Sequence, residues 1–378
     1  MKVGFVKLNI GLALSATAVA ALTLSACGSD NNTPSAGSGS ATGSTASGAD
    51  CGGKNSVTAE GSTAQQNAVA LFNQVWGQAC PGKNLSYNPT GSGAGREQFI
   101  AANVDFAGSD SALKDDQIAA AAARCGGNPA WHLPLVFGPI AMAYNIEGVD
   151  GLVLNGDTLA KIFQGQITKW NDPAIAALNE GATLPDTAIT PIFRSDSSGT
   201  TDNFQKYLTA AAPESWTKGA GSEFQGGAGE GAQKSAGVAQ AVQATPGAIG
   251  YVEKGFADQA GLPYAQIDAG AGAVELTDES AGKAIDAVEI SGEGNDLVLD
   301  LDSLYGIKEA GAYPLVLATY NIVCSDGYDA ETAAAVRSFL TVAAEDGQGG
   351  LSAAGYVPLP DQFKQRLLTS IEAIGPAA

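Results

Sequence analysis

The chain has 378 residues, 19 Lys and Arg against 39 Asp and Glu, and a formal net charge of −20. That length accommodates two packed lobes. The acidity excludes nucleic acid and an anionic membrane surface as electrostatic partners, so any anion that binds must be drawn in by local dipoles.

The N-terminus speaks to compartment. Lys2 and Lys7 flank an apolar run from Leu8 to Leu24. The run is too brief and too rich in small residues for a membrane span, and it predicts a signal peptide over residues 1–26. It ends in Leu24-Ser25-Ala26-Cys27, the pattern of a bacterial lipoprotein processing site, which makes Cys27 the expected lipidated N-terminus. Two lysines and no acid leave with the signal, taking the mature charge from −20 to −22. Residues 28–50 are mostly Gly, Ser, Ala, Thr and Asn and cannot bury enough surface to offset ordering entropy. With Cys27 they predict a flexible tether with a reach of about 25 Å. The expected location is the extracytoplasmic face of a bacterial cell membrane.

Cys51, Cys80, Cys125 and Cys324 follow, and outside the cytoplasm an even count suggests two disulfides in one of three connectivities. Their spacing is long and irregular and His132 is the only histidine, which argues against zinc. Neither a metal nor a cofactor is expected.

From Cys51 onward, short β-prone runs lead into Gly/Ser loops and then into helix-like stretches. Ser56–Ala59 precedes Gly61-Ser62-Thr63, after which Val69, Phe72, Trp76 and Ala79 recur at helical spacing. Leu85–Tyr87 precedes Gly91-Ser92-Gly93 and a helix carrying Phe99 and Ile100. Val104–Ala107 runs into Gly108-Ser109-Asp110, and Ile189–Phe193 into Arg194-Ser195-Asp196-Ser197-Ser198-Gly199-Thr200 and a helix with Phe204, Tyr207 and Leu208. This rhythm predicts an α/β architecture. Leu133–Ile146 and Tyr313–Val323 are long and nearly uncharged, as buried central strands are. Crossings between two lobes are expected on these strands, near Gly138–Tyr144 and Ala318–Asn321. One lobe would then hold residues 51–139 and 319–378, and the other residues 140–318.

Four loops carry the chemistry. Each follows a predicted strand and three open a helix, whose unpaired N–H groups and positive dipole end hold anions. Gly lets backbone approach closely, and Ser and Thr hydroxyls donate without adding charge. Each loop alone has a plain reading. Ser62-Thr63-Ala64-Gln65 fits a capping box, Gly91–Gly95 a turn, and Asp110 or Ser198-Gly199-Thr200 a helix cap. Their combination, with one cation and one carboxylate among neutral donors, points to a small oxyanion.

In order and spacing, Gly61-Ser62-Thr63, Gly91-Ser92-Gly93, Val104–Asp110 and Arg194–Thr200 resemble the ligand loops of the phosphate-binding subunit of the bacterial Pst phosphate importer. Ile162–Pro173 and Pro246–Glu253 resemble the same family without an obvious ligand role, and the likeness spans residues 55–378. It implies a type II periplasmic-binding-protein-like fold, an α/β pair of hinged lobes closing over ligand in the cleft. Thr63 and Ser92 would donate through their hydroxyls, Ala64 and Ser92 through backbone N–H groups, and Arg194 as the sole cation. Ser62 belongs to the same loop. Ser198, Gly199 and Thr200 would close the cradle, with Asp196 orienting Arg194. Family members often carry an aromatic residue where Ala64 stands, so only its backbone role carries over. A carboxylate at Asp110 favours an anion that brings a proton, as hydrogen phosphate does and sulfate does not. The implied partners are inorganic phosphate and the membrane permease subunits of an ABC importer. The protein is expected to be a monomer and not an enzyme.

The rival reading is a secreted serine hydrolase or phosphatase. No Gly-x-Ser-x-Gly elbow occurs, and His132 falls where a packed structural histidine is expected. Gly226–Ser235 ends in Lys234-Ser235, but Gln233 stands where a P-loop needs Gly, so a solvated loop is expected there. Within the receptor class, sulfate or another tetrahedral oxyanion is the alternative. A surface adhesin would need exposed aromatic or charged patches, whereas the tryptophans fall in core-like contexts.

Overall fold

The computed structural model describes residues 50–377, and the expected signal segment, Cys27 and most of the tether lie outside them. The chain begins β1 (Ser56–Gly61), α1 (Gln66–Ala79), β2 (Asn84–Pro89), α2 (Ser92–Ile100), β3 (Phe106–Ser109), α3 (Asp115–Arg124) and β4 (Ala130–Tyr144). It continues with β5 (Val153–Asn155), α4 (Gly156–Phe163), α5 (Pro173–Ala176), β6 (Thr190–Arg194), α6 (Gly199–Ala211), β7 (Glu230–Ala232), α7 (Lys234–Ala244) and β8 (Ala248–Glu253). Then come α8 (Lys254–Gln259), β9 (Gln266–Asp268), β10 (Ala273–Val274), α9 (Asp278–Asp286), β11 (Glu289–Ile290), β12 (Leu299–Asp300) and α10 (Leu301–Tyr305). It closes with β13 (Val316–Cys324), α11 (Ala330–Glu345) and α12 (Asp361–Glu372).

Eight strands form one mixed sheet in the order β2-β1-β3-β13-β4-β8-β6-β7. β4 is the seam. Its 15 residues carry no charge except the potential one on His132, and from His132 to Tyr144 every residue is buried. Ala130–Pro139 pairs antiparallel with β13, and Ile140–Tyr144 pairs antiparallel with β8. One strand therefore serves two halves of the sheet, with β1–β3 and β13 on one side and β6–β8 on the other. Such a strand is covered on both faces, which is why it reads as an unbroken apolar run.

Helices seal the faces. α1 buries Ala68, Val69, Phe72 and Trp76, and the Trp76 and Phe106 rings pack on Phe339 of α11 at 5.4 and 5.7 Å. In the second half Tyr251 stacks on Phe204 of α6 at 4.5 Å. Of the three possible disulfide connectivities the structure has Cys51–Cys80 and Cys125–Cys324. His132 is a structural residue inside β4: its Nε2 accepts the Leu113 N–H at 2.9 Å, and its Nδ1 meets Asp296 Oδ1 at 2.8 Å. Among the described residues no helix is long and apolar enough to cross a membrane, and no cluster of His, Cys, Asp and Glu is arranged to hold a metal ion.

Candidate functional site

The parallel pair β1 and β3 ends at Gly61 and Ser109, and β6, which runs the opposite way in the other half of the sheet, ends at Arg194. Ligands of open α/β sheets lie beyond such carboxyl ends. Here the ends belong to both halves of the sheet, and the loops that leave them meet. Ser62, Thr63, Ala64, Ser92, Asp110, Arg194, Ser198 and Thr200 are each at most 3 % exposed. Gly199 is buried with them, and side-chain contacts through Asp110 and Ser235 link the loops that carry the nine residues.

Asp110 is the hub of the first half. Its Oδ1 accepts the hydroxyls of Ser62 and Thr319, both at 2.6 Å, and its Oδ2 accepts that of Ser92 at 3.0 Å. Burial pushes the carboxyl up to about 6 against these hydroxyls, which pull the other way. With two bonds on Oδ1 and one on Oδ2, the second oxygen keeps capacity for a further proton. Ser62 Oγ also accepts the Ala64 N–H at 3.0 Å. The capping box expected there does not form: Gln65 donates to Tyr87 Oη, and α1 begins one residue later.

Arg194 is the cation of the second half. Its Nε donates to Asp196 Oδ1 at 2.8 Å and its Nη2 to Asp196 Oδ2, a bidentate clamp. Burial works against the guanidinium's charge, but Asp196 outweighs it and raises the Arg194 pKa; Arg194 in turn holds Asp196 low despite partial burial. Nη1 remains directed at Ser235 Oγ, 3.4 Å away.

Helix starts surround this pair. Gly91, at φ 107°, turns the chain into α2 so that Ser92 opens it, and a side chain at Gly91 would strike the Ser197 carbonyl. Ser198 caps α6 by accepting the Thr201 N–H at 3.2 Å, leaving Gly199 and Thr200 in its first turn. Gly199 sits directly against the first half: a Cβ there would lie 2.5 Å from Asp110 Cβ and 2.6 Å from Ser92 Oγ. Only glycine allows that approach.

Bonds between the halves hold the loops together. Thr63 Oγ1 meets Ser235 Oγ at 2.8 Å, Gly93 N donates to Ser197 O at 3.2 Å, and Asn203 Nδ2 donates to Asp110 O at 2.7 Å. Arg96 Nη2 reaches Ser222 Oγ at 3.2 Å.

Five participants escaped the sequence reading. Ser235 does not lie in a solvated loop. The stretch forms β7 and opens α7, with Ser235 1 % exposed between Thr63 and Arg194. The strand–loop–helix rhythm was there to be seen, hidden by surrounding glycines. Thr319 is the one threonine in a mostly apolar strand, and Glu253 the lone acid at the end of another. Asn203 and Arg96 are helix residues whose partners lie far along the chain. Chemically, the assembly is a water-poor cage of hydroxyl and N–H donors with one clamped guanidinium and one buried acceptor, suited to a small anion.

Comparison with known proteins agrees in fold and family. A PBP superfamily domain matches residues 34–346. The phosphate-binding protein PstS 3 of Mycobacterium tuberculosis is 52% identical over 371 residues, 97% of this chain and 100% of the relative. The phosphate-binding protein PstS of Pasteurella multocida is 34% identical over 294 residues, 76% of this chain and 81% of the relative. A solved phosphate-binding protein from Stenotrophomonas maltophilia superposes with a TM-score of 0.66 at 21% identity, covering 84% of this chain and 94% of its own. That last likeness speaks to the two-lobed fold alone. Identity to the mycobacterial relative along nearly the whole chain places this protein in the PstS family of phosphate-binding proteins, within the PBP superfamily.

Proposed function

We propose that this protein captures inorganic phosphate outside the cytoplasm and delivers it to the membrane permease of an ABC importer. One observation carries the reading. A buried carboxylate with spare acceptor capacity, Asp110, and a carboxylate-clamped guanidinium, Arg194, face the same cage from opposite halves of one sheet. A tetrahedral anion that brings its own proton satisfies both, and one without a proton leaves Asp110 facing like charge.

In this reading Thr63 and Ser92 turn their hydroxyls from protein partners to phosphate oxygens. Backbone N–H groups of Ala64, Ser92, Gly199 and Thr200 add donors at helix starts, Ser198 contributes with them, and Ser62 keeps Asp110 in place. The change of pairing partner at Pro139/Ile140 supports lobes of residues 51–139 with 319–378 and of residues 140–318, closing by a hinge on β4 and β13. The Leu24–Cys27 motif supports a lipid anchor at Cys27, which a monomeric receptor would use to stay beside its permease.

Equilibrium dialysis of the purified chain against labelled phosphate, run beside a phosphatase assay, tests the function. Stoichiometric retention without turnover is expected. Hydrolysis of a phosphate ester, or no retention, refutes it.

A further inference from the structure

A cavity of about 810 Å³ lies between the end of α9 with β11 and the start of α12, and it shares no lining residue with the anion cage. Phe137 of β4 lines it, with Ile285, Val288 and Ile290 from the α9 side and Phe363 from α12. The Phe137 and Phe363 rings meet edge to face at 5.6 Å. Phe137 stands two residues before Pro139, where β4 ends its pairing with β13, so the cavity draws its walls from both proposed lobes. Ile290 is 37 % exposed, one of two large apolar side chains left to solvent among the described residues. An apolar, partly aromatic concavity of this size with a few polar groups has the form of a small-molecule site.

Charge fixes the class of ligand. The carboxylates of Asp286, Glu289 and Asp361 line the cavity with one guanidinium, that of Arg366. The guanidinium is already engaged: Nη2 donates to Gly294 O, and Nη1 to Asn295 Oδ1 at 3.4 Å. Asp361 pairs with Lys364 at 3.2 Å, whereas Asp286 and Glu289 enter no ion pair among the described residues. Glu289 also stands directly opposite Asp300 in the β11–β12 ladder, like charge against like, which destabilises a hairpin. The negative end of the α9 dipole and the positive end of the α12 dipole offset each other here, so the side chains decide the sign. A positive ligand would relieve the Glu289–Asp300 opposition, and phenylalanine rings attract a cation through their faces.

We propose that this cavity is a second ligand site, for a small organic cation with an apolar body. The apolar body packs on Phe137, Phe363 and Ile290, and the cationic group sits toward Asp286 and Glu289.

Ligand-observed NMR titration of the full chain with benzyltrimethylammonium tests this. Phenylmethanesulfonate serves as the anion of like shape, and tetramethylammonium as the cation without an apolar body. Wild type is expected to bind benzyltrimethylammonium about tenfold tighter than either control. Ile290→Lys brings a like charge to an exposed wall position and should weaken that binding about tenfold. Ile118→Lys, at the other exposed apolar side chain, should leave it unchanged, because Ile118 does not line the cavity. Equal weakening in the two variants would mark general attraction to an acidic protein and overturn the site. Absence of binding, or a control that binds as tightly, would overturn it as well. If Ile290→Lys does not fold, Glu289→Lys, at the exposed neighbouring position, takes its place under the same criteria.

Discussion

Replacing Asp110 with Asn changes one acceptor into a donor inside the cage. The amide oxygen can keep the Ser62 and Thr319 hydroxyls, both 2.6 Å from Oδ1 in the wild type. The amide nitrogen then stands where Oδ2 accepted Ser92, and its second hydrogen points toward the ligand instead of a lone pair. Phosphate loses a charge-assisted bond worth about 1.5–3 kcal/mol, and sulfate gains a donor where it met a carboxylate. The phosphate-to-sulfate affinity ratio should therefore fall about 10- to 150-fold, read by calorimetry with each anion. A ratio unchanged from wild type would refute the reasoning. The same variant carries a stability signature. Burial raises the Asp110 pKa from 3.8 to about 6, so the folded state binds this proton more tightly than the unfolded chain. The resulting cost of about 3 kcal/mol is fully present above pH 6, shrinks as pH falls, and is gone below the unfolded value. Wild type should thus gain on Asp110→Asn by about that amount between pH 7.5 and 3.5 in urea melts, and a constant difference would contradict it.

Two further substitutions probe the frame of the site. Gly199→Ala places a methyl 2.5 Å from Asp110 Cβ, so the halves must part. About 1–3 kcal/mol of overpacking should weaken phosphate binding about 5- to 150-fold in the same titration. Replacing Cys125 and Cys324 with Ser removes a bridge closing 199 residues of sequence separation and should cost about 2–5 kcal/mol in denaturant melts.

The sequence made the local grammar visible. Gly91, Ser92, Ser198 and Gly199 announce helix starts because capping and close approach demand those residue types over a few positions. Arg194 and Asp196 are two residues apart, so their clamp could be expected from the resemblance. The crossing strand was legible as an apolar run because β4 is covered on both faces. What stayed hidden depends on distant partners. Thr319 meets Asp110 across 209 residues and Ser235 meets Thr63 across 172, and no local pattern marks a hydroxyl for such a pairing. Glu253 stood at the end of a recognised stretch, yet its bond with the Thr200 hydroxyl joins residues 53 apart.

A structure of the protein crystallised with phosphate tests the cage most directly. The anion should lie between Asp110 Oδ2 and the Arg194 guanidinium, bonded to the first turns of α2 and α6 and so to both halves of the sheet. Phosphate bound to one half only, or at a surface away from Asp110, would contradict the proposed site.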